Sequence, residues 1–348
     1  MKQELPHEYI IIDEQGLPRT ADAHFSPEIS AEILRQLRFA DNGAMLTEVS
    51  GQLALVEAFD EPFIGKAVAP PTKNIFWSLE LPFQVRMKFL LSSLSCDEWD
   101  RFHGLTTEGI PFVLSDTAQN QLFDAVDEFS DDGLKYSGQE YAVPQWLSPN
   151  AEVQSESFWS NIYQTEKPGW DLGEPSPVLK DLLPRLKIPK SRVLVLGSGP
   201  GHDAAYFAEQ GHVVTAVDIS PEALKTSKAN YPVLRNITWV EADIFKLPRE
   251  WLGQFDVIFE HTCYCAINPA LRSQLVKSWL QLLAPQGHLL GVFFAMEKRQ
   301  GPPFGGSEWE IRQRLKERFH FLFWGRWRQS IARRNGLELA VYAQKKSE

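Results

Sequence analysis

The sequence predicts an α/β fold, in which a doubly wound sheet of mainly parallel strands is preceded by a small α+β domain. Three observations carry this prediction. The stretch Ser191 to Ser220 has the order strand, glycine turn, helix, strand. Strand-like and helix-like segments then alternate through the rest of the chain. Finally, the 348 residues exceed one typical domain, and acidic residues gather in the first part of the chain.

The charge balance differs between the two parts of the chain. Residues 1–150 hold 24 acidic and 10 basic side chains, whereas the remainder carries a net charge of +4. An acidic surface argues against a nucleic-acid-binding module, and such a change in balance supports a domain boundary. We therefore expect domains at 1–147 and 148–348, joined by a proline-containing linker within Ala142 to Ser157.

The composition also indicates the cellular location and which kinds of site are expected. No run approaches the 18 or so apolar residues of a membrane span, and the first residues lack a signal-peptide pattern. Cys96, Cys263 and Cys265 are too few for a disulfide framework, and the last two lie too close together for a CxxC metal pair. We expect buried thiols, no metal, no membrane or nucleic-acid partner and a cytoplasmic location. The oligomeric state stays open.

The first 150 residues show short elements and no catalytic constellation. Ser26 is a plausible N-cap, and the pair Ser50-Gly51 is typical of a two-residue hairpin turn. The function of this part stays open. The predicted elements are a helix over Pro27 to Leu37, hairpin strands over Ala44 to Val49 and Gln52 to Ala58, a helix ending within Glu98 to His103, and a helix over Ala118 to Phe129.

The central motif begins with an apolar run, Val193 to Leu196, that enters a turn holding Gly197, Gly199 and Gly201. A second apolar strand then ends on Asp218, about 20 residues after the first glycine, as a nucleoside-binding βαβ unit requires. Glycines let the backbone approach a ligand, and an acid at the strand end accepts hydrogen bonds from ribose hydroxyls. The motif therefore predicts a cofactor site.

Further elements extend the pattern to seven strands with ligands at their carboxyl ends. Two helices, from Glu156 and over Pro177 to Leu186, precede the first strand. The other predicted elements are strands over Val213 to Val217, Ile237 to Val240, Phe255 to Phe259, His288 to Ala295, Phe319 to Trp324 and Leu337 to Ala343, and a helix over Ala270 to Leu283.

Two positions bear on which nucleoside cofactor binds. His202 stands where a dinucleotide fingerprint has its third glycine. Asp243, after the third strand, is placed to accept a hydrogen bond from an adenine amine. Together these features favour S-adenosylmethionine, with a nicotinamide dinucleotide as the alternative.

From Trp159 onward, about 190 residues resemble the thiopurine methyltransferase family, and especially its thiol and halide methyltransferase branch. The narrowest shared pieces are the segment from Ala266 to Arg272 and the GPPF segment. The matching pieces, in family order, are Phe158-Trp159, Gly169-Trp170, Val195 to Gly199, Val217 to Ser220, Asp243 to Phe245, Phe255-Asp256, Ala266 to Pro269 with Arg272, and Gly301 to Phe304.

The resemblance implies a Rossmann-like, seven-stranded class I methyltransferase fold and binding of S-adenosylmethionine. Tyr163 stands where the family usually has tryptophan, and His261 stands where the plant thiol and halide enzymes have tyrosine. The predicted cofactor site is Trp159, Tyr163, Trp170, Gly197, Ser198, Gly199, Asp218, Ile219, Asp243, Ile244 and His261.

Methyl transfer from a sulfonium is an in-line displacement, so the site must mainly align the reacting atoms. A thiol with a pKa of about 8.5 ionises sufficiently near neutrality to need no obligatory base. His261 or Tyr264 can still assist deprotonation, or His261 only contacts the cofactor. By the resemblance, Arg272 faces the substrate; the alternative is an arginine on a helix surface.

The predicted reaction is S-methylation of a small soft nucleophile: a thiol, a thiopurine-like compound, a halide or hydrosulfide. Two alternatives stay open. The acidic first domain can instead dock a protein substrate, or the chain can bind the cofactor without turnover.

Overall fold

The computed structural model describes residues 9–41, 43–130, 133–145, 151–165, 168–296 and 301–347. The chain divides into two compact units: Met1–Ser148 with Ser307–Trp309, and Pro149–Gly306 with Glu310–Glu348. The boundary expected between residues 147 and 148 lies outside the described residues.

The first unit is an α+β assembly of small sheets. Its sheets have the strand orders β2-β1-β5-β4-β3, β10-β11-β12-β6, β7-β8-β9 and β13-β14-β15. Its elements are β1 (Tyr9–Ile12), β2 (Pro18–Arg19), α1 (Pro27–Arg35), β3 (Arg38–Phe39), β4 (Met45–Val49), β5 (Gln52–Ala58), β6 (Phe63–Gly65), β7 (Ala67–Ala69), β8 (Trp77–Glu80), β9 (Arg86–Phe89), β10 (Ser95–Cys96), β11 (Phe102–Leu105), β12 (Pro111–Leu114), α2 (Asp116–Ala125), β13 (Glu128–Ser130), β14 (Gly133–Tyr136) and β15 (Gln139–Ala142).

Local sequence explains most of these elements. The Ser26 side chain accepts from the Ile29 N–H and caps α1. Ser50 and Gly51, at φ of 51° and 80°, form the turn between β4 and β5, as expected for a two-residue hairpin. The prediction of a helix ending within Glu98 to His103 is wrong. The Asp97 carboxylate accepts from the N–H groups of Trp99 and Arg101, which turns the chain directly into β11.

The second unit contains the motif-bearing part of the chain. Its elements are α3 (Glu156–Thr165), α4 (Pro177–Leu186), β16 (Arg192–Leu196), α5 (His202–Glu209), β17 (Val213–Asp218), α6 (Pro221–Asn230), β18 (Ile237–Glu241), β19 (Phe255–His261), α7 (Arg272–Leu282), β20 (Leu283–Phe294), α8 (Glu308–Leu315), β21 (Phe319–Trp327) and β22 (Glu338–Lys345). Residues Glu308 and Trp309 of α8 group with the first unit.

These strands form one seven-stranded sheet in the order β18-β17-β16-β19-β20-β22-β21. The pairings among the first five strands of the unit are all parallel, and β22 alone is reversed, since it pairs antiparallel with both β20 and β21. This is the class I methyltransferase fold that the resemblance implied. The order reverses between β16 and β19, so the crevice for a ligand lies outside the carboxyl ends of these two strands.

Alternation along β16 divides the core between the two faces of the sheet. Val193 and Val195 pack with α4 and α5, whereas Leu194 and Leu196 pack with α7 and α8. Because successive side chains of a strand point to opposite faces, a buried parallel strand must be apolar throughout. This explains why Val193 to Leu196 of β16 is a continuous apolar run in the sequence.

The reversal of β22 matters for the site. Glu338, the first residue of β22, pairs with Phe294, the last residue of β20. The turn that precedes β22 therefore lies at the same edge as the carboxyl ends of the parallel strands. It includes a single 3₁₀ turn, Ala332–Arg334.

No helix in the described part of the chain is both long and apolar enough to cross a bilayer. Across the same residues, no group of three or more histidine, cysteine, aspartate or glutamate side chains is arranged to hold a metal ion.

Candidate functional site

A cavity of about 550 Å³ opens at the carboxyl edge of the seven-stranded sheet. It lies wholly within the second unit, and its volume falls in the usual range for small-molecule sites. The part of the lining that comes from α3, its flanking segments and the ends of β16, β17 and β18 comprises Val153, Gln154, Trp159, Tyr163, Gly169, Trp170, Gly197, Asp218, Ile219, Asp243, Ile244, Phe245 and Lys246. The part that comes from the segments after β19 and β20 and before β22 comprises Thr262, Cys263, Cys265, Ala266, Ile267, Asn268, Leu271, Phe294, Pro302, Pro303, Arg333 and Arg334.

The glycine turn forms part of the cavity wall where β16 ends. Gly197 has a φ of +61°, in the left-handed region that favours glycine. A Cβ at this position would stand 2.9 Å from the Sγ of Cys263. A side chain at residue 197 would collide with Cys263, so glycine lets this turn pack against the segment after β19 while its backbone lines the cavity.

Asp218 is held rigidly at the end of β17. Its carboxylate is 6% exposed and accepts from the Gly199 N–H at 2.8 Å and the Ser220 N–H at 2.9 Å. Burial raises the pKa of Asp218, and these N–H donors oppose that rise. Each oxygen retains a further lone pair, so the carboxylate can also accept from ribose hydroxyls.

Two predicted contacts in the turn do not line the cavity. Ser198 donates its N–H to Val217 O at 2.9 Å, and its side-chain oxygen is buried. Gly199 donates to Asp218, so both residues act through the shape of the turn. The physical reason is that a tight turn exposes only some of its residues on the ligand side. Direct cofactor contact by Ser198 or Gly199 is not supported by this placement.

Three aromatic side chains form the wall beside the glycine turn. Trp170 donates its indole N–H to the Tyr163 hydroxyl at 3.2 Å, and the Trp159 and Trp170 rings meet edge to face with centroids 5.8 Å apart. Trp159 is itself fixed by its indole N–H, which donates to Val153 O at 2.9 Å. Burial raises the pKa of Tyr163 far above neutrality, so this phenol stays uncharged.

Asp243 and Ile244 follow β18, the third strand of the unit, and line the same cavity. Asp243 accepts from the Phe245 N–H at 2.9 Å and pairs with the exposed Lys246 at 3.0 Å. Ile219 follows Asp218 and lines the cavity from the second strand. The structure thus brings together eight of the predicted cofactor residues around one space. An open glycine backbone, two carboxylates and an aromatic wall fit an adenosine-containing cofactor.

Arg272 does not line the cavity, contrary to the substrate contact that the resemblance implied. Its side chain is fully buried. The guanidinium donates to both oxygens of Glu310, at 3.0 and 3.2 Å, and to Gly305 O at 2.7 Å. It therefore anchors α7 to α8, through Glu310, and to the segment before α8, through Gly305. The alternative of a surface arginine is also wrong.

Tyr264 is likewise placed behind the wall. Its hydroxyl donates to Glu310 at 2.9 Å, and its ring lies 4.5 Å from the Arg272 guanidinium carbon. Burial, with Glu310 nearby, raises the pKa of Tyr264 well above its ordinary value. A phenol in this environment is a poor proton acceptor, so the geometry gives Tyr264 a structural position.

His261 ends β19 with both ring nitrogens facing protein groups. Nδ1 lies 2.7 Å from Asp203, and Nε2 lies 3.1 Å from Nη1 of Arg334. Burial by itself lowers the pKa of His261, but the charge of Asp203 outweighs it and raises the pKa to about 9. His261 is absent from the cavity lining. An imidazolium enclosed in this way does not serve as a base for a bound acceptor.

The sequence reasoning missed Arg333 and Arg334, which line the cavity from the turn before β22. The signal was the pair of basic residues immediately before the last predicted strand. This pair did not predict a site residue, because the direction of the last strand cannot be read from the sequence. The turn lies at the site only because β22 runs antiparallel to β20. Cys263 and Cys265 were expected as buried thiols; they also line the cavity, and both are free.

Arg272→Met should lower the free energy of unfolding by about 1–3 kcal/mol, because the buried Glu310 loses Arg272 and keeps its pairing with Arg314 at 3.1 Å. Lys277→Met removes an exposed charge from the same helix and should change stability by about 0.5 kcal/mol or less. Urea unfolding measures both. Unchanged stability of Arg272→Met would contradict the anchoring role.

His261→Gln tests the pairing of His261 with Asp203 through pH. Because the folded pKa is raised, the pair's stabilisation is complete below the unfolded pKa of about 6.5 and is lost as pH rises through about 9. The unfolding free energies of the native and variant proteins should therefore differ most near pH 6 and converge above pH 9. If the difference in unfolding free energy between the two proteins did not change with pH, protonation of His261 would not be coupled to folding.

A family profile described as thiopurine S-methyltransferase matches residues 154–336, just over half of the chain. A probable thiol methyltransferase 2 from Arabidopsis thaliana is 32% identical over 165 residues, covering 46% of this chain and 72% of that protein. A thiopurine S-methyltransferase from Shewanella loihica is 28% identical over 180 residues, covering 47% and 83%.

Among solved structures, this chain is similar to a Burkholderia thailandensis 1,6-didemethyltoxoflavin-N1-methyltransferase with bound 1,6-didemethyltoxoflavin and S-adenosylhomocysteine. The TM-score is 0.46 at 22% identity, covering 57% of this chain and 89% of that one. The extent of the family match, over the residues that build the cavity, leads to one conclusion. The chain belongs to the thiopurine S-methyltransferase family, a family of S-adenosylmethionine-dependent methyltransferases.

Proposed function

We propose that this protein transfers the methyl group of S-adenosylmethionine to the sulfur of a small thiol. The relatives named thiol, thiocyanate and thiopurine S-methyltransferases support a small, soft acceptor. The cavity supports it independently, because the space beyond the predicted cofactor residues is lined chiefly by apolar side chains.

The chain's own residues divide the work of holding the cofactor. In this proposal Asp218 accepts from the ribose hydroxyls and Asp243 from the adenine amine, and the position of both carboxylates in the cavity lining supports these roles. The aromatic wall of Trp159, Tyr163 and Trp170 excludes water beside the glycine turn. When bound, S-adenosylmethionine supplies an electrophilic methyl group on a positively charged sulfonium.

The observation that carries the proposal is the composition of the cavity wall outside the predicted cofactor residues. Among the described residues, that part of the lining includes no carboxylate and no imidazole. Because no base is placed on this wall, the acceptor must supply its own nucleophilic form, as a thiol does by ionising near neutrality. An apolar wall also strips water from the thiolate and raises its reactivity towards a cation.

The two wall thiols do not compete with the acceptor. Burial, reinforced by the nearby Glu260 carboxylate, raises the pKa of Cys263 well above its ordinary value and that of Cys265 to about 12. Both stay protonated near neutrality, and a protonated thiol is a weak nucleophile. The wall can therefore present sulfur without being methylated at an appreciable rate.

The proposal assigns the methyltransferase domain to residues 148–348 and leaves the task of residues 1–147 open. It also places the protein in the cytoplasm. Free thiols in the cavity wall support a reducing compartment, since oxidation of Cys263 or Cys265 would change the shape of the site.

Asp218→Ala should weaken S-adenosylmethionine binding about tenfold to a hundredfold, because hydrogen bonds to a charged group contribute about 1.5–3 kcal/mol. Glu241→Ala is the matched control. Glu241 pairs with Asp218 across β17 and β18, yet it is exposed and outside the cavity lining. Titration calorimetry gives both affinities. Equal affinities would remove Asp218 from the cofactor site.

Methyl transfer is tested with labelled S-adenosylmethionine and a panel of thiols, hydrosulfide, halides and a thiopurine. Thiols should be methylated, and kcat/KM should rise with pH up to the pKa of each thiol. Two thiols whose pKa values differ by about one unit should give profiles displaced by the same amount. A common midpoint for both would reveal a base on the protein, and no transfer to any thiol would refute the proposal.

A further inference from the structure

We propose that Arg333 recognises a carboxylate on the acceptor, so that the preferred substrates are thiols that carry a second, anionic group. This inference rests on the proposed function and names the substrate class of the same site.

Arg333 reaches the site through the topology of the sheet. It lies in the 3₁₀ turn before β22, and the pairing of Glu338 with Phe294 sets that turn at the carboxyl edge. Arg333 lines the cavity. Its side chain is exposed, so it stands at the rim.

The other charged groups of the cavity already have partners. Lys246 pairs with Asp243 at 3.0 Å. Arg334 donates to Glu338 at 3.3 Å and to Trp170 O at 3.0 Å. Within the described residues, Arg333 alone among the lining cations makes no hydrogen bond or ion pair. Its charge is therefore available to a ligand.

The chemistry of the ligand follows from the two parts of this wall. A guanidinium offers planar paired donors that match a carboxylate. The same cavity is lined by Ile267, Leu271 and Phe294, which offer apolar surface to a short carbon chain. An acceptor with a thiol at one end and a carboxylate at the other satisfies both features. The competing ligand for Arg333 is the carboxylate of S-adenosylmethionine itself.

The test compares 3-mercaptopropionate with 3-mercaptopropionamide, which differ in charge but hardly in shape. The measured quantity is the ratio of their kcat/KM values in the native protein and in Arg333→Gln. The difference in pKa between the two thiols is the same for both proteins, so it cancels when the two ratios are compared. The ratio should fall about threefold to tenfold in the variant, as for an ion pair at a solvated rim. Arg318→Gln removes an exposed charge outside the cavity lining and should leave the ratio unchanged.

Charge reversal makes the expectation stricter. Arg333→Glu should disfavour 3-mercaptopropionate and favour the cationic thiol cysteamine relative to the native protein. An unchanged ratio in Arg333→Gln, or equal losses with all three thiols, would overturn the inference while leaving thiol methylation intact.

Calorimetry separates the remaining outcomes. With S-adenosylhomocysteine bound, 3-mercaptopropionate should bind more weakly to Arg333→Gln than to the native protein, while S-adenosylmethionine affinity should be unchanged. A selective loss of S-adenosylmethionine affinity would assign Arg333 to the cofactor carboxylate and refute the inference. Arg333-dependent binding of the carboxylate without turnover would refute the proposed function and retain the subsite.

Discussion

The site depends on one interaction, in which the Gly199 N–H donates to the Asp218 carboxylate at 2.8 Å. This bond joins the turn after the first strand to the end of the second, so that the open backbone and the buried acid keep one geometry. Ser220 donates to the other oxygen and also caps α6 with its side chain. A single carboxylate thus connects two strands and a helix at the place where the cofactor must lie. Burial raises the pKa of Asp218. The backbone N–H donors oppose this rise, because they replace the hydrogen bonds that the carboxylate would make with water.

Most buried charge near the cavity serves geometry. Arg272 and Glu310 form one cluster, and His261, Asp203, Arg334 and Glu338 form another. Buried pairs of this kind contribute little net stability relative to apolar packing, but they are costly to break and they have strict geometry. They hold the end of β19 and the turn before β22 in place while leaving the inner wall apolar. The cavity can then remain dry around a reacting thiolate even though ionised groups lie directly behind it.

Two features of the wall are therefore complementary. The aromatic and glycine-lined part is preorganised by hydrogen bonds such as that from Trp170 to Tyr163, which satisfies polar atoms in the wall. The rest of the lining includes apolar side chains, two protonated thiols and an exposed cation. A reaction that cancels a sulfonium charge against a thiolate charge is favoured in such surroundings, because neither ion is well solvated before transfer.

The sequence by itself determined the β16 to β17 motif and the strand-end positions of Asp218 and Asp243, because these depend on local spacing: a glycine turn and a strand-end acid occupy the same place whenever the strands are parallel. The aromatic positions followed from the family resemblance, since their spacing is equally compatible with core packing. Apolar periodicity is a local property, so the sequence also indicated most element bounds. Only the tertiary structure decided where Arg272, Tyr264, His261 and Arg333 lie relative to the cavity. A contact between residues far apart in sequence leaves no local pattern. The pairing of Arg272 with Glu310, 38 residues away, could therefore not be predicted from spacing. The direction of β22 is equally non-local, because it depends on which neighbour the strand pairs with, and that choice alone carries Arg333 to the cavity.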